Sequence, residues 1–299
     1  MNLNFIVPSI EQGLVYGIMA LGVYLTFKIL DFPDLTVDGS FPLGGAVAAK
    51  MIVSGANPLV ATLVASIFGV LAGVITGLLH TKLKITGLLS GILTMTALYS
   101  INLRLMGRAN ISLLNEVRIF DHFRGLNIFG RDRLIFFLIT VIILKVLIDW
   151  FLRTELGLAL IATGDNKKMI RSLGVNTDLM TILGLGLSNG LVALSGALVA
   201  QYQGFTDVGM GIGIIIIGLA SVIIGETLIR SDKIWWATLG VLFGSVIYRL
   251  VIMTALRLNL NPNDLKLMTA LLVILALGGP ELKKLNLGIF RSKEGEVDA

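Results

Sequence analysis

Apolar runs long enough to cross a bilayer recur along this 299-residue chain, at 10–30, 58–79, 86–105, 133–152, 179–201, 212–229 and 235–256. A helix needs roughly 20 such residues to span about 30 Å of hydrocarbon. Two further runs, 41–53 and 265–278, are shorter, and the first follows a polar stretch, 31–40, that contains Pro33 and Gly39. Short, interrupted segments of this kind occur where a helix breaks inside protein or lines a cavity. A closed barrel would need short segments of alternating polarity, whereas 59–79 and 135–152 are apolar all round. The expectation is an all-α polytopic membrane protein with about nine transmembrane or partly spanning helices, eight to ten if the short segments are counted differently.

Composition agrees: 55% of residues are hydrophobic and 14% charged, and a mean hydropathy of +0.89 lies beyond soluble globular usage. With no Cys, disulfides, thiolate metal sites and a cysteine nucleophile are excluded together. The two histidines, His80 and His122, stand far apart without a motif, which argues against a metal site or His-based catalysis. No phosphate-binding loop, His-Glu-x-x-His helix or Gly-x-Ser-x-Gly elbow occurs, so no enzyme activity, catalytic residue or resident cofactor is expected. The first basic residue is Lys28, so no cleavable leader is expected. A net charge of +5 reflects topology rather than nucleic acid, because in membrane proteins the placement of cations matters more than their sum.

The apolar series is broken by a hydrophilic interruption at 154–175. Within it, Asp165 can cap a short helix over 166–173, and Gly174 can end it in a left-handed conformation. Met169 and Leu173 lie four apart on one side of that helix with Ile170 beside them, while Lys167, Lys168 and Arg171 lie elsewhere. An apolar ridge framed by cations suits insertion into a groove of a soluble partner, or rest on lipid headgroups. If this loop is cytoplasmic, Lys28, Lys82, Lys84, Arg230, Lys233 and the tail cations Lys283, Lys284, Arg291 and Lys293 also fall inside. That places the N-terminus outside and the C-terminus inside a plasma or inner membrane. The six-Arg segment 104–133 would then face out, as an ordinary loop or a docking site. The organisation expected is one transmembrane domain over 1–280, with the loop at 154–176, and a cytoplasmic tail at 281–299. Glycines four apart, such as Gly69, Gly73 and Gly77, Gly186 and Gly190, or Gly240 and Gly244, permit close helix contacts.

The set Thr154, Gly157, Ala162, Gly164, Asn166, Gly174 and Val175, followed by Ser195, Gly196 and Ala200, resembles the permease subunits of ABC importers for branched-chain amino acids and ribose. The segments at 32–40 and 218–227 are similar to a subgroup paired with lipoprotein-type binding proteins and associated with aromatic amino acids or related solutes. The resemblance implies a type II importer fold, in which two permeases, expected to be two copies of this chain, enclose the pathway, with an extracytoplasmic binding protein and two cytoplasmic ATPases that carry ATP and Mg. It also implies an ATPase-coupling set: Gly157, Gly164, Asp165, Asn166, Lys167, Met169, Ile170, Leu173 and Gly174. The chain departs from the family pattern at Leu158 and Ile161, where a polar residue is common, and in 31–39, where an Asn-Phe-Ala-His-Gly-like stretch is common.

Candidate pathway residues are Asp34, Asp38, Thr94, Ser188 and Asn189. Carboxylates beside a membrane segment mark a path or a cap, so Asp34 and Asp38 either attract a substrate ammonium group or fix a turn and cap a helix. The hydroxyls and amide either line a wet pathway or join helices. Glu226 is placed to pair with Arg230 four residues on. The function expected is ATP-driven import of a small polar solute, an amino acid before a sugar or nucleoside. An ion-gradient-driven secondary transporter using Asp31, Asp34, Asp38 and Glu226 as proton carriers is the alternative.

Overall fold

The structure, a computed structural model, describes residues 5–121, 132–231 and 233–257, together with positions 267, 269–271 and 274. His122, most of the run at 265–278 and the tail at 281–299 lie outside the described residues. Met1–Leu250 form one compact unit and Val251–Ala299 a second; what is described of the second is helical.

The chain opens with α1 (Ile6–Tyr24), which runs into a π-helical turn at Leu25–Ile29. Asp31, at φ 49°, then turns the chain out of the helix. Asp is among the few side chains that tolerate this left-handed region. The break is thus real but shorter than the polar stretch: helix resumes at Val37, so 37–40 form the first turn of α2 (Val37–Val53). There follow α3 (Pro58–Thr81), α4 (Gly87–Met106), β1 (Asn110–Ser112), α5 (Asp132–Leu152), α6 (Glu155–Asp165), α7 (Lys167–Ser172) and α8 (Thr177–Gln203). The order closes with β2 (Phe205–Asp207), a 3₁₀ turn at Val208–Gly211, α9 (Ile214–Leu228) and α10 (Ile234–Arg257). Among the described residues, seven helical segments are long and apolar enough to cross a membrane. The 17-residue α2 falls short of that length, as expected of a broken span.

The 27-residue α8 is the spine of the larger unit, packed against α1, α2 and α3. Lipid provides no hydrophobic drive between helices, so association rests on close packing and interhelical hydrogen bonds. Both are present along α8. A Cβ placed at Gly44 of α2 would lie 1.9 Å from the Ala193 carbonyl oxygen, and one at Gly73 of α3 would lie 2.1 Å from that of Leu185. The α3 glycines expected to mediate packing therefore do so. Serine hydroxyls add the polar component: Ser188 donates to the Gly22 carbonyl at 2.7 Å and Ser195 to that of Val15 at 2.8 Å.

Outward faces are apolar. Leu63, Ile67, Leu71 and Ile75 of α3 and Ile139, Ile142, Ile143 and Val146 of α5 are all exposed, which suits lipid or another subunit. The two ends of the larger unit differ. α7 lies at one end of α8, where Lys84, Lys167 and Arg171 line a common groove. At the other end β1 pairs antiparallel with β2, Ile111 opposite Thr206.

Gly44→Ala is expected to cost about 1–3 kcal/mol or more, since overpacking meets a backbone atom that cannot rotate away. Gly186→Ala, whose Cβ would stand no closer than 3.3 Å to the Val74 side chain and 3.5 Å to that of Val70, is expected to cost less. Thermal unfolding of the two variants in one detergent checks the order.

Candidate functional site

The interruption at 154–175 is two helices. Thr154 starts α6, donating from its hydroxyl to the Phe151 carbonyl at 2.6 Å and accepting from the Gly157 N–H at 3.3 Å. Asp165 ends α6 instead of capping the next helix, because Asn166, at φ −154° and ψ 91°, is the residue with extended backbone. Asn166 Oδ1 accepts from the Met169 N–H at 3.0 Å, which satisfies one of the free donors of α7. Gly174 closes the helix at φ 90°.

The side chains of α7 point in distinct directions. Met169 and Leu173 are 51% and 70% exposed, whereas Ile170 is buried. The ridge read from sequence thus consists of two residues, and Ile170 faces inward and belongs to the fold. Lys167 and Lys168 are exposed. Arg171 donates from Nη2 to the Thr177 hydroxyl at 2.8 Å and to Asp178 Oδ1 at 3.2 Å, tying α7 to the start of α8. Leu156 and Leu158 of α6 are also exposed, which broadens the apolar surface at this end.

Gly157 and Gly164 serve close approach. A Cβ at Gly157 would stand 2.2 Å from the Phe151 carbonyl oxygen, and one at Gly164 would stand 2.0 Å from that of Ile29. α6 is therefore seated on the end of α5 and on the π-helical turn that follows α1, with no side chain between.

Four of the candidate pathway residues are buried within the bundle. Asp34 accepts from the Thr36 N–H at 2.9 Å and from Asn189 Nδ2 at 2.7 Å. Asn189 also donates to the Leu185 carbonyl at 3.0 Å and accepts from the Ser40 hydroxyl at 2.7 Å. The Thr76 hydroxyl meets that of Thr36 at 2.8 Å and that of Thr94 at 2.9 Å. Asp34, Thr36, Ser40, Thr94 and Asn189 are all fully or almost fully buried. Their partners are one another, so the arrangement favours bundle joints over pathway walls. Ser188, buried as well, is engaged with α1.

Asp38 stands apart. Its carboxylate accepts from the N–H groups of Gly213 and Ile215, both at 2.9 Å, and so caps α9. It also borders a cavity of about 380 Å³ between α2, α4 and the 3₁₀ turn before α9.

Glu226 does not pair with Arg230. α9 ends at Leu228 and Ile229 leaves helical geometry, so the expected helical spacing is lost. Glu226 instead accepts from Lys28 at 3.0 Å, joining the end of α9 to that of α1. A second ion pair escaped sequence reading because both members sit inside an apolar run. Lys145 and Asp149, buried in α5, pair with each other; Asp149 also accepts from the Thr238 hydroxyl at 2.7 Å, and Lys145 lies over the Trp235 ring. The i,i+4 spacing of opposite charges was the available signal. His80 Nδ1 lies 2.8 Å from the Ile85 carbonyl oxygen, and its ring packs edge-on against Phe32.

A family model described as "Branched-chain amino acid transport system / permease component" matches residues 5–278. A tyrosine transport system permease protein of Clostridioides difficile is 48% identical over 286 residues, covering 94% of each chain. An uncharacterized Rickettsia prowazekii protein is 35% identical, over 92% of this chain and 97% of its own length. The ribose import permease protein of Escherichia coli is 25% identical, over 82% of this chain and 76% of its own. No solved structure matches the chain.

Asn189→Leu leaves the Asp34 carboxyl and the Ser40 hydroxyl each short of a partner, a loss of about 1–3 kcal/mol or more where a charged group is stranded. The double variant Asp34→Leu/Asn189→Leu is expected to lose less than the sum of the single changes. A double-mutant cycle on detergent unfolding midpoints reads this coupling.

Proposed function

This chain belongs to the family of branched-chain amino acid transport permeases, and on that premise we propose that it imports an amino acid, with aromatic amino acids the first class to test. The family assignment makes it the multi-pass membrane subunit of an ABC importer. ATP hydrolysis lies in a separate subunit of such systems, and this chain is not an enzyme. The 48% identical relative is named for tyrosine transport, which supports the substrate class.

In the proposed assembly two copies of the chain enclose a central pathway. A cytoplasmic ATPase, holding ATP and Mg, docks on each copy, and a binding protein or lipoprotein delivers solute from outside. The observation that carries this reading is the build of the loop at 154–175: Met169 and Leu173 are presented outward, while Gly157 and Gly164 seat α6 against α5 and α1. A soluble partner gripping the ridge acts on a part that cannot slip against the bundle. Such a device shifts the population between two bundle states only through contacts that differ between them.

The orientation proposed has α7 in the cytoplasm of a cell with a plasma or inner membrane. Support comes from the cations at the same end: Lys84, Lys167 and Arg171 share a groove, and Lys28 lies in the π-helical turn after α1, next to Ile29, which Gly164 meets. Clustering of Lys and Arg is the mark of cytoplasmic loops. The N-terminus is then outside, and the C-terminal tail inside.

The double change Met169→Asp/Leu173→Asp tests the reading. Both side chains are exposed, so the unfolding midpoint of the permease should hold within a few degrees while ATP-driven uptake in proteoliposomes falls at least about tenfold, as expected for loss of a central apolar anchor. Retained uptake, or uptake with no ATPase present, would overturn it. Ile170→Asp, by contrast, should destabilise the protein itself, because it buries a charge.

A further inference from the structure

The cavity between α2, α4 and the turn before α9 contains a feature that the bundle does not explain. Asn102 of α4 is fully buried and borders this cavity. Its Nδ2 donates to the Gly39 carbonyl at 3.3 Å, which fixes the orientation of the amide. Its Oδ1 is buried with no hydrogen-bond partner among the described residues. An amide oxygen left in that state costs free energy unless a donor arrives.

The second acceptor at the cavity is Asp38. Its oxygens accept backbone N–H groups from the start of α9, those of Gly213 and Ile215 at 2.9 Å and that of Ile214 as well, and a carboxylate offers about four acceptor positions in all, so at least one remains. The remaining wall is mainly apolar, with Pro42, Met95, Val208 and Ile212, Tyr99 exposed at the edge, and the hydroxyls of Thr96 and Ser100. A volume of about 380 Å³ falls in the range that holds small organic ligands. Two acceptors, one of them anionic, beside an apolar wall with an aromatic ring call for a donor-rich cationic head on an apolar body.

Position along the membrane fits as well. Asn102 precedes the end of α4 at Met106, and β1 follows shortly after. At about 1.5 Å per residue, Asn102 lies roughly 6 Å from that end and roughly 22 Å from the start of α4. The cavity is therefore near the end opposite α7, the side from which an importer receives solute.

We propose that this cavity is a solute site in which Asn102 Oδ1 and the Asp38 carboxylate take the primary ammonium group of a substrate whose apolar or aromatic body lies against Met95, Tyr99 and Ile212. The proposal rests on the import reading for the solute class but is tested separately. The chain has no Cys, so Ser100→Cys, at the cavity, supplies a single alkylation site, and Ser54→Cys, outside it, a control. The full-length permease in detergent is alkylated with a maleimide alone or with L-tyrosine, tyramine or 3-(4-hydroxyphenyl)propionate. Tyrosine and tyramine, which carry the ammonium group, should slow labelling at position 100 and leave position 54 unchanged. The propionate, which lacks it, should not protect. Adding Asn102→Leu should weaken protection about tenfold or more, as for loss of one hydrogen bond to a charged group. Asn102→Gln, which keeps both an amide donor and an amide acceptor, should retain more protection than Asn102→Leu, with unfolding midpoints confirming that each variant is folded. No protection by any compound, or equal protection by the propionate, overturns the site. Wild-type uptake of tyrosine with an unchanged KM in Asn102→Leu removes the site and leaves the import reading standing. Protection without ATP-driven uptake keeps the site and removes that reading.

Discussion

The hydrogen bonds of Asn189 hold together what the membrane would otherwise pull apart. The chain between α1 and α2 leaves helical geometry where Phe32, Asp34 and Thr36 are buried, and each free backbone group that is buried there is expensive. Asp34 answers part of that demand by accepting from the Thr36 N–H, and the carboxylate is in turn held by Asn189. The same amide accepts from Ser40 at the start of α2. On the neighbouring face, a Cβ at Gly69 would lie 2.3 Å from the Asn189 carbonyl oxygen. Polar closure of the break and close packing of α3 thus converge on one turn of α8.

That anchoring makes the break a fixed part of the scaffold, and it leaves the ends of the helices to carry motion. α6 touches α5 and α1 through Gly157 and Gly164. Lys28 at the end of α1 holds Glu226 near the end of α9. The other end of α9 is capped by Asp38, at the cavity. In the proposed importer, α9 is a stiff element that meets the coupling region at one end and the solute cavity at the other. The physical requirement is that both contacts change together, and a short helix held by a carboxylate cap and an ion pair can satisfy it.

Several assignments depended on which way a helix face turned. Met169, Ile170 and Leu173 form one apolar set in the sequence, yet Ile170 is buried and the other two are exposed. Asp165 and Asn166 are equally good caps by residue type, and the extended backbone at Asn166 chose between them. Glu226 was legible as half of an ion pair, but the early end of α9 gave the other half to Lys28. Lys145 and Asp149 disappeared into an apolar average that two charges cannot offset, although they neutralise each other inside the bundle.

Length and continuity of the apolar runs were enough to establish a polytopic helical membrane protein, because crossing hydrocarbon leaves a backbone few options. The break at 31–40, the glycine stripe of α3 and the short helix after Asn166 were likewise written in local chemistry. The interhelical partners of Asp34, Asp38, Asn102 and Asn189 were not, since beyond local bonds such as Thr36 to Asp34 these side chains meet residues 60 to more than 150 positions away, or leave an atom with no partner at all. Whether a buried polar group joins helices or awaits a ligand depends on which donors and acceptors the packing delivers to it, and that is a property of three-dimensional neighbourhood.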